Sequence, residues 1–220
     1  LAANDDTIVV AGRREGIRVW TNGNPCDGGP ADKESRNTIG SINADNLQSI
    51  AYDSRHFYLL DGNGTLHVWD DIPTEGEVPE FSRDLETFEG ILYSDGTHLS
   101  ISGMDAFKFV KVSQISADIT LQEIQFSDRP QMIGHGFIKD EHVFISDLSQ
   151  HRILAWKELD TALAGAEPDA IIGATSLEDT DPDKTREGVF WPLRLDFNRD
   201  RLWVGEYKFS GRVLSYRVEE

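Results

Sequence analysis

Short apolar runs rich in β-branched and aromatic residues, each closed by Asp, Gly, Asn or Ser, recur along the whole chain and predict strands joined by tight turns. A helical period appears over Lys157 to Ala166, where Leu159 and Leu163 fall one turn apart and Gly165 offers a stop. Five stretches share one grammar: an apolar strand, a polar turn, then a second strand ending in an aromatic residue or Val. They are Ile8 to Trp20, Phe57 to Trp69, Leu99 to Val110, Val143 to Trp156 and Leu202 to Tyr216. Their ends are spaced by 49, 41, 46 and 60 residues, a period that belongs to propeller blades.

Four of the five hairpins are preceded by another short strand, at Ser49 to Asp53, Gly90 to Asp95, His135 to Lys139 and Arg194 to Asn198. Four are followed by a looser strand, around Thr38 to Gly40, Phe81 to Leu85, Leu121 to Phe126 and Ala170 to Gly173. A lone four-stranded sheet has two apolar faces and cannot bury both, so such units must stack around an axis. The expectation is therefore an all-β fold, a β-propeller of four-stranded antiparallel blades with about five blades represented. Residues 1–220 read as one domain with incomplete blades at 1–40 and 189–220. The first hairpin lacks a strand before it and the last lacks one behind it. That mismatch points to a fragment of a six-bladed ring, completed by a further polypeptide, and Leu1 in place of Met fits trimming.

The stretch ISDLSQHRILAWKELDTALAGAEPDAIIGATSLEDT (Ile145 to Thr180) and WPLRLDFNRDRLWVGEYKFSGRVLSYR (Trp191 to Arg217) resemble bacterial NHL-repeat propellers. Repeats of that family run as a Pro-led inner strand, a lyVaDsgNhRvlvw hairpin, a vlGq outer strand and a variable loop. The resemblance is good over the last two repeats, fair over residues 41–71 and weak over 89–127, where SGMDAFKFV lacks the Asp and the Asn-His-Arg. In GEYKFSGR, Glu206 stands where the family has Asp. Function in the family varies widely, so the resemblance implies an architecture more than a reaction.

Charge narrows the partners. There are 39 Asp and Glu against 21 Lys and Arg, a net charge of −18, which repels phosphate backbones and anionic lipid, so neither nucleic acid nor membrane insertion is expected. No continuous apolar run is long enough to span a bilayer. Cys26 is the single cysteine and excludes an internal disulfide. The compartment stays open, with a secreted or periplasmic site favoured.

Propellers bind ligands where the inner strands begin, because loops from all blades converge there on a rigid base. In register, those positions carry Gln48, Glu89, His135 and Arg194, a polar cluster around one opening, and Trp191 lies in the entry loop Phe190-Trp191-Pro192. The function expected is a non-enzymatic recognition or scaffold module binding a protein or glycan through the loop-rich face. The alternative is a calcium-dependent lactonase or lyase. The resemblance implies for it a metal at the axial mouth held by Glu, Asn and Asp, with Asn46 and Glu89 as stand-ins here. No Gly-x-Ser-x-Gly elbow and no His-x-His or His-Glu-x-x-His spacing is present. The run holding Asp179, Asp181 and Asp183 alternates acids as calcium loops do. Lys184 then sits where Gly is wanted and Phe190 where the chelating Glu belongs, which favours a solvated loop and no cofactor.

Overall fold

The computed structural model describes residues 1–4, 6–21, 28–85, 90–126, 130, 132–182, 185, 187–198, 200–208 and 210–218. Its strands lie in antiparallel sheets laid out successively along the chain, each a propeller blade. The first blade is β1 (Ala2–Ala3), β2 (Thr7–Gly12), β3 (Gly16–Thr21) and β4 (Lys33–Ser35), and a small hairpin follows, β5 (Thr38–Ile39) and β6 (Ile42–Asn43). The second is β7 (Leu47–Tyr52), β8 (Phe57–Asp61), β9 (Thr65–Trp69) and β10 (Phe81–Asp84). The third is β11 (Ile91–Ser94), β12 (His98–Ser102), β13 (Phe107–Lys111) and β14 (Gln122–Glu123). The fourth is β15 (Ile133–Lys139), β16 (His142–Asp147), β17 (Arg152–Trp156) and β18 (Ala170–Ile172), with the helix α1 (Leu159–Leu163) between its last two strands. The fifth has three strands among the described residues, β19 (Pro192–Asn198), β20 (Arg201–Glu206) and β21 (Val213–Arg217).

Two of these elements differ from the sequence expectation. Ala2 and Ala3 pair with Val9 and Ile8, so the first blade does have a strand ahead of its hairpin. Two alanines carry no strand pattern, and only pairing to β2 makes them one. The outer strand of that blade is Lys33–Ser35, not the stretch around Thr38, which instead folds back on itself through Gly40 at φ 56°.

The chain divides into two compact units, Leu1–Leu99 with Val110–Thr120, and Ser100–Phe109 with Leu121–Glu220. In the second and third blades the second strand is more buried than the inner one, and the outer strand is the least buried. Every residue of β8 is buried and β16 is nearly so, which is why FYLLD and HVFISD read as continuous rather than alternating apolar runs. The outer strands β10 and β18 have no fully buried residue. Val9, Val19, Ile39, Ile50, Phe57, Leu59 and Trp69 build the core of the first unit. Phe107, Phe109, Ile138, Val143, Ile145, Leu154 and Trp156 build that of the second, with Leu159 and Ala162 of α1 packed on it.

Two repeated devices set the geometry. Asn4, Asp53 and Asp95 each end a first strand, and their side-chain oxygens accept the amides two and three residues on, at 2.6–3.1 Å, which tightens the turn into the second strand. Trp20, Trp69 and Trp156 each end or nearly end a third strand and donate their indole N–H to a carbonyl of the following loop, Gly29, Glu77 and Ala166 respectively. These tryptophans are structural, as an aromatic body with one polar atom requires when buried.

Candidate functional site

The second strand ends on a carboxylate in three blades: Asp61, Asp147 and Glu206, all buried. Opposite each, the first strand carries an extra residue, because Leu47 pairs with Asp61 but Ser49 with Leu60, Ile133 with Asp147 but Gly136 with Ile145, and Pro192 with Glu206 but Arg194 with Gly205. Such a bulge re-aims the side chains around it. Each carboxylate takes a partner from the turn or strand that follows. Asp61 accepts the amides of Asn63 and Thr65 and meets His67 Nε2 at 3.3 Å. Asp147 receives Arg152 Nε and Nη2 at 3.2 Å, and the same guanidinium reaches the Leu177 carbonyl. Glu206 receives Arg212 through two nitrogens at 2.7 Å, and Arg212 Nη1 reaches the Thr185 carbonyl at 2.8 Å. The two arginines thus tie hairpin to connecting loop. Arg18, also in a third strand, instead lies on the surface with Glu15 and Glu34.

Two residues of the predicted cluster, Gln48 and His135, fall in these bulges, and Arg194 is paired beside the third. Gln48 is the bulge residue of β7, half-buried in the first unit, where its Oε1 accepts Arg13 Nη2 at 3.2 Å while Arg13 Nε bonds the Leu47 carbonyl. His135 is in the bulge of β15, buried in the second unit. Its amide donates to Ser146 Oγ at 2.7 Å, and its Nδ1 accepts the Leu195 amide of β19 at 3.1 Å. Burial, followed by the charge of Arg194, pushes the His135 pKa down to about 3. Desolvation also lowers Arg194 and raises Asp196, its neighbour two positions along β19. His135 and Arg194 are therefore brought together. Glu89 lies outside the described residues.

Trp191 is the centre of a cluster that residue spacing does not reveal. It holds a left-handed backbone at φ 49° and is half-buried. Its amide donates to His151 Nδ1 at 3.1 Å, and its carbonyl accepts the Tyr207 amide at 2.9 Å. Lys208 Nζ stands 3.5 Å over its ring, a cation–π contact. The His151 ring lies parallel to Phe190 at 5.1 Å and edge-on to Trp191 at 5.8 Å. Beneath them Glu206 Oε1 accepts the Phe190 amide at 2.7 Å. Tyr207 is 52% exposed beside the cluster. The sequence marks Trp191 through its entry-loop position, whereas His151 reads there as an ordinary repeat residue and Glu206 as a departure from the family's Asp.

Of the residues expected around a metal, Asn46, Asp179 and Asp181 are among the described residues. Asn46 sits on the surface of the first unit, in a short 3-10 turn, and its carbonyl accepts the Gly62 amide at 2.6 Å. Asp179 Oδ2 accepts both the amide and the hydroxyl of Thr175, at 2.9 and 2.8 Å, and those bonds hold its carboxyl below the usual carboxylate range. Asp179 and Asp181 face a cleft of about 1040 Å³ lined by β18 and by Val213 to Arg217 of β21. Asp183 and Cys26 lie outside the described residues. Among the described residues no group of three or more His, Cys, Asp or Glu has the geometry of a metal site.

No protein-family model matches the chain, and no curated protein matches it. Solved structures do. The computationally designed Ika8 protein superposes with a TM-score of 0.57 at 13% identity, over 98% of this chain and 57% of that one. The WD40 beta propeller domain of Doa1 gives 0.56 at 12% identity, over 99% and 67%. KlHsv2 with loop 6CD replaced by a Gly-Ser linker gives 0.56 at 11%, over 98% and 60%. At such identities the likeness shows the fold alone, a β-propeller. The chain spans little more than half the length of the designed protein.

Proposed function

We propose that this chain is a non-enzymatic recognition module, an NHL-like β-propeller that binds a protein or glycan through the loops joining its second and third strands and its successive blades. The observation that carries this reading is Trp191. A half-buried aromatic ring fixed through both its backbone groups, covered by Lys208 and flanked by exposed Tyr207, is preorganised contact surface. Rigid aromatic anchors of this kind lose little entropy on binding and dominate interfaces. The scaffold part of the reading is supported by the propeller fold, in which each blade holds its loops on a rigid sheet.

A further polypeptide would find a second surface at β21, whose outer edge carries no paired strand among the described residues. There Val213 is 71% exposed beside the cleft. In the other four blades a fourth strand occupies the corresponding edge, so an extended segment is the shape that fits.

The test is a screen of the immobilised chain against peptide and glycan arrays, repeated with Trp191→Ala, Tyr207→Ala and a surface control in the first unit, Val78→Ala. Hits that vanish in the first two variants and persist in the third support the reading. Hits indifferent to Trp191 and Tyr207 overturn it.

A further inference from the structure

Two histidines of the fourth blade hold one segment of the fifth by accepting hydrogen bonds. His151 Nδ1 accepts the Trp191 amide and His135 Nδ1 accepts the Leu195 amide, each at 3.1 Å. A ring nitrogen accepts only through a lone pair, so both imidazoles must be neutral with the proton on Nε2. An imidazolium has a donor at each nitrogen and no acceptor. Protonation would set N–H against N–H at both contacts. We propose that His151 and His135 form a two-step acid-opened latch, in which protonation of His151 releases the Trp191 backbone while His135 keeps Leu195 bound until the solution is far more acidic.

Their surroundings set that order. His135 is shut in by β15, β16 and β19. The charged group facing it is Arg194, and Asp147 across the bulge is already engaged by Arg152. Desolvation and Arg194 act in the same direction and take it down to about 3. His151 is also lowered by desolvation, but Glu206 from β20 draws it back up. Around it, Arg212 is committed to Glu206, Arg152 to Asp147, and Lys208 stands over the Trp191 ring. His151 therefore takes up its proton first.

The Trp191 backbone is also the part with most reason to move. A tryptophan at φ 49° sits where a Cβ crowds the carbonyl, so it persists only while its bonds hold it. Loss of the His151 bond leaves the Tyr207 amide as its remaining backbone tether.

The consequence, that acid dissolves the aromatic contact surface, rests on the reading of Trp191 as a contact; the latch does not. It is tested on the full 220-residue chain without any ligand, by NMR. Amide exchange of Trp191 and Leu195, corrected for the intrinsic rate, is followed from about pH 7.5 to about pH 4.5. Protection of Trp191 should fall by up to about tenfold per pH unit as pH drops below the ordinary imidazole value of 6.5 and level off at the lowered value of the latched ring, while Leu195 stays the better protected of the two. His151→Asn, whose carbonyl oxygen replaces Nδ1 and cannot protonate, should keep Trp191 protected throughout. Unchanged protection of Trp191 in the parent chain, or an equal fall in the variant, overturns the latch. Imidazole nitrogen shifts in the parent chain give an answer that needs no variant: the Nε2–H tautomer of His151 at neutral pH is expected, and the Nδ1–H tautomer overturns it. If the latch opens as described but Trp191→Ala leaves array binding intact, the contact reading alone fails.

Discussion

Arg212 grips the buried carboxylate of Glu206 with two nitrogens at 2.7 Å, and that carboxylate also accepts the amide of Phe190 at the entrance to the last blade. One ion pair therefore joins the turn after β20 to the loop that presents Trp191. Burial by itself pushes the Glu206 carboxyl up. The bonds from Arg212, Ser210 and the Phe190 amide outweigh it and hold the group below its ordinary value. Its stabilising contribution is thus complete above pH 4.5 and is lost only as pH falls through the lower, folded-state value. Arg212→Ala strands a buried charge and should cost about 3 kcal/mol in urea denaturation at neutral pH. Arg212→Lys should recover less than half of that loss, because an ammonium cannot bridge both oxygens in one plane.

Gly134 shows how closely the two blades approach. A Cβ at this position would lie 2.6 Å from the Pro192 carbonyl oxygen and 2.8 Å from Ser146 Oγ, and the first of these is backbone that cannot swing aside. Gly134→Ala should therefore destabilise the chain by about 2–3 kcal/mol, the range of overpacked interiors. Gly205→Ala, on the neighbouring β20, meets nothing nearer than 3.5 Å and should stay within about 1 kcal/mol of the parent in the same denaturation experiment. Equal effects would mean that β15 and β19 are not held as tightly as this contact implies.

His135 makes stability depend on pH from about 6.5 downward, and the upper part of that window lies above the ordinary carboxylate range. Unfolded, it binds a proton near pH 6.5; folded, it does so only at about 3. The unfolded state holds more protons between those values, so stability falls as pH falls, by about 1.4 kcal/mol per unit once below pH 6. Denaturation midpoints measured between about pH 7 and pH 5 should drop steadily in the parent chain. In His135→Asn, which retains an acceptor for the Leu195 amide, the slope should shrink by that single-proton amount.

How much of this could be read in residue order follows from distance along the chain. The five hairpins are legible because each is local, with an apolar strand, a turn residue and a second apolar strand within about twenty positions. Bulged inner strands and their opposing carboxylates are half legible: Asp61 and Asp147 stand out in the repeat, but their pairing with His67 and Arg152 is a matter of registry. Trp191 could be singled out as an aromatic residue in an entry loop. Its anchor could not, since His151 is 40 residues away and the contact depends on left-handed backbones at both positions, φ 55° and 49°, that no local motif encodes. Ala2–Ala3 was invisible for a different reason, because its strand exists only through pairing with β2.

The acidic loop after β18 makes a clear case against reading alternation of Asp as a chelating pattern. Calcium needs six to eight oxygens brought to one point, with lone pairs free to face it. Asp179 spends one oxygen on the amide and hydroxyl of Thr175 and turns the other toward the Asp181 amide at 3.4 Å, so its carboxylate already organises its own loop. A cation would have to break those bonds before gaining its ligands. Millimolar calcium should therefore leave the thermal midpoint unchanged and give no saturable heat in calorimetry. Asp179→Asn should behave like the parent toward calcium while losing the charge-assisted part of the Thr175 bonds. A saturable calcium heat that disappears in Asp179→Asn would reverse the argument and make the loop a ligand.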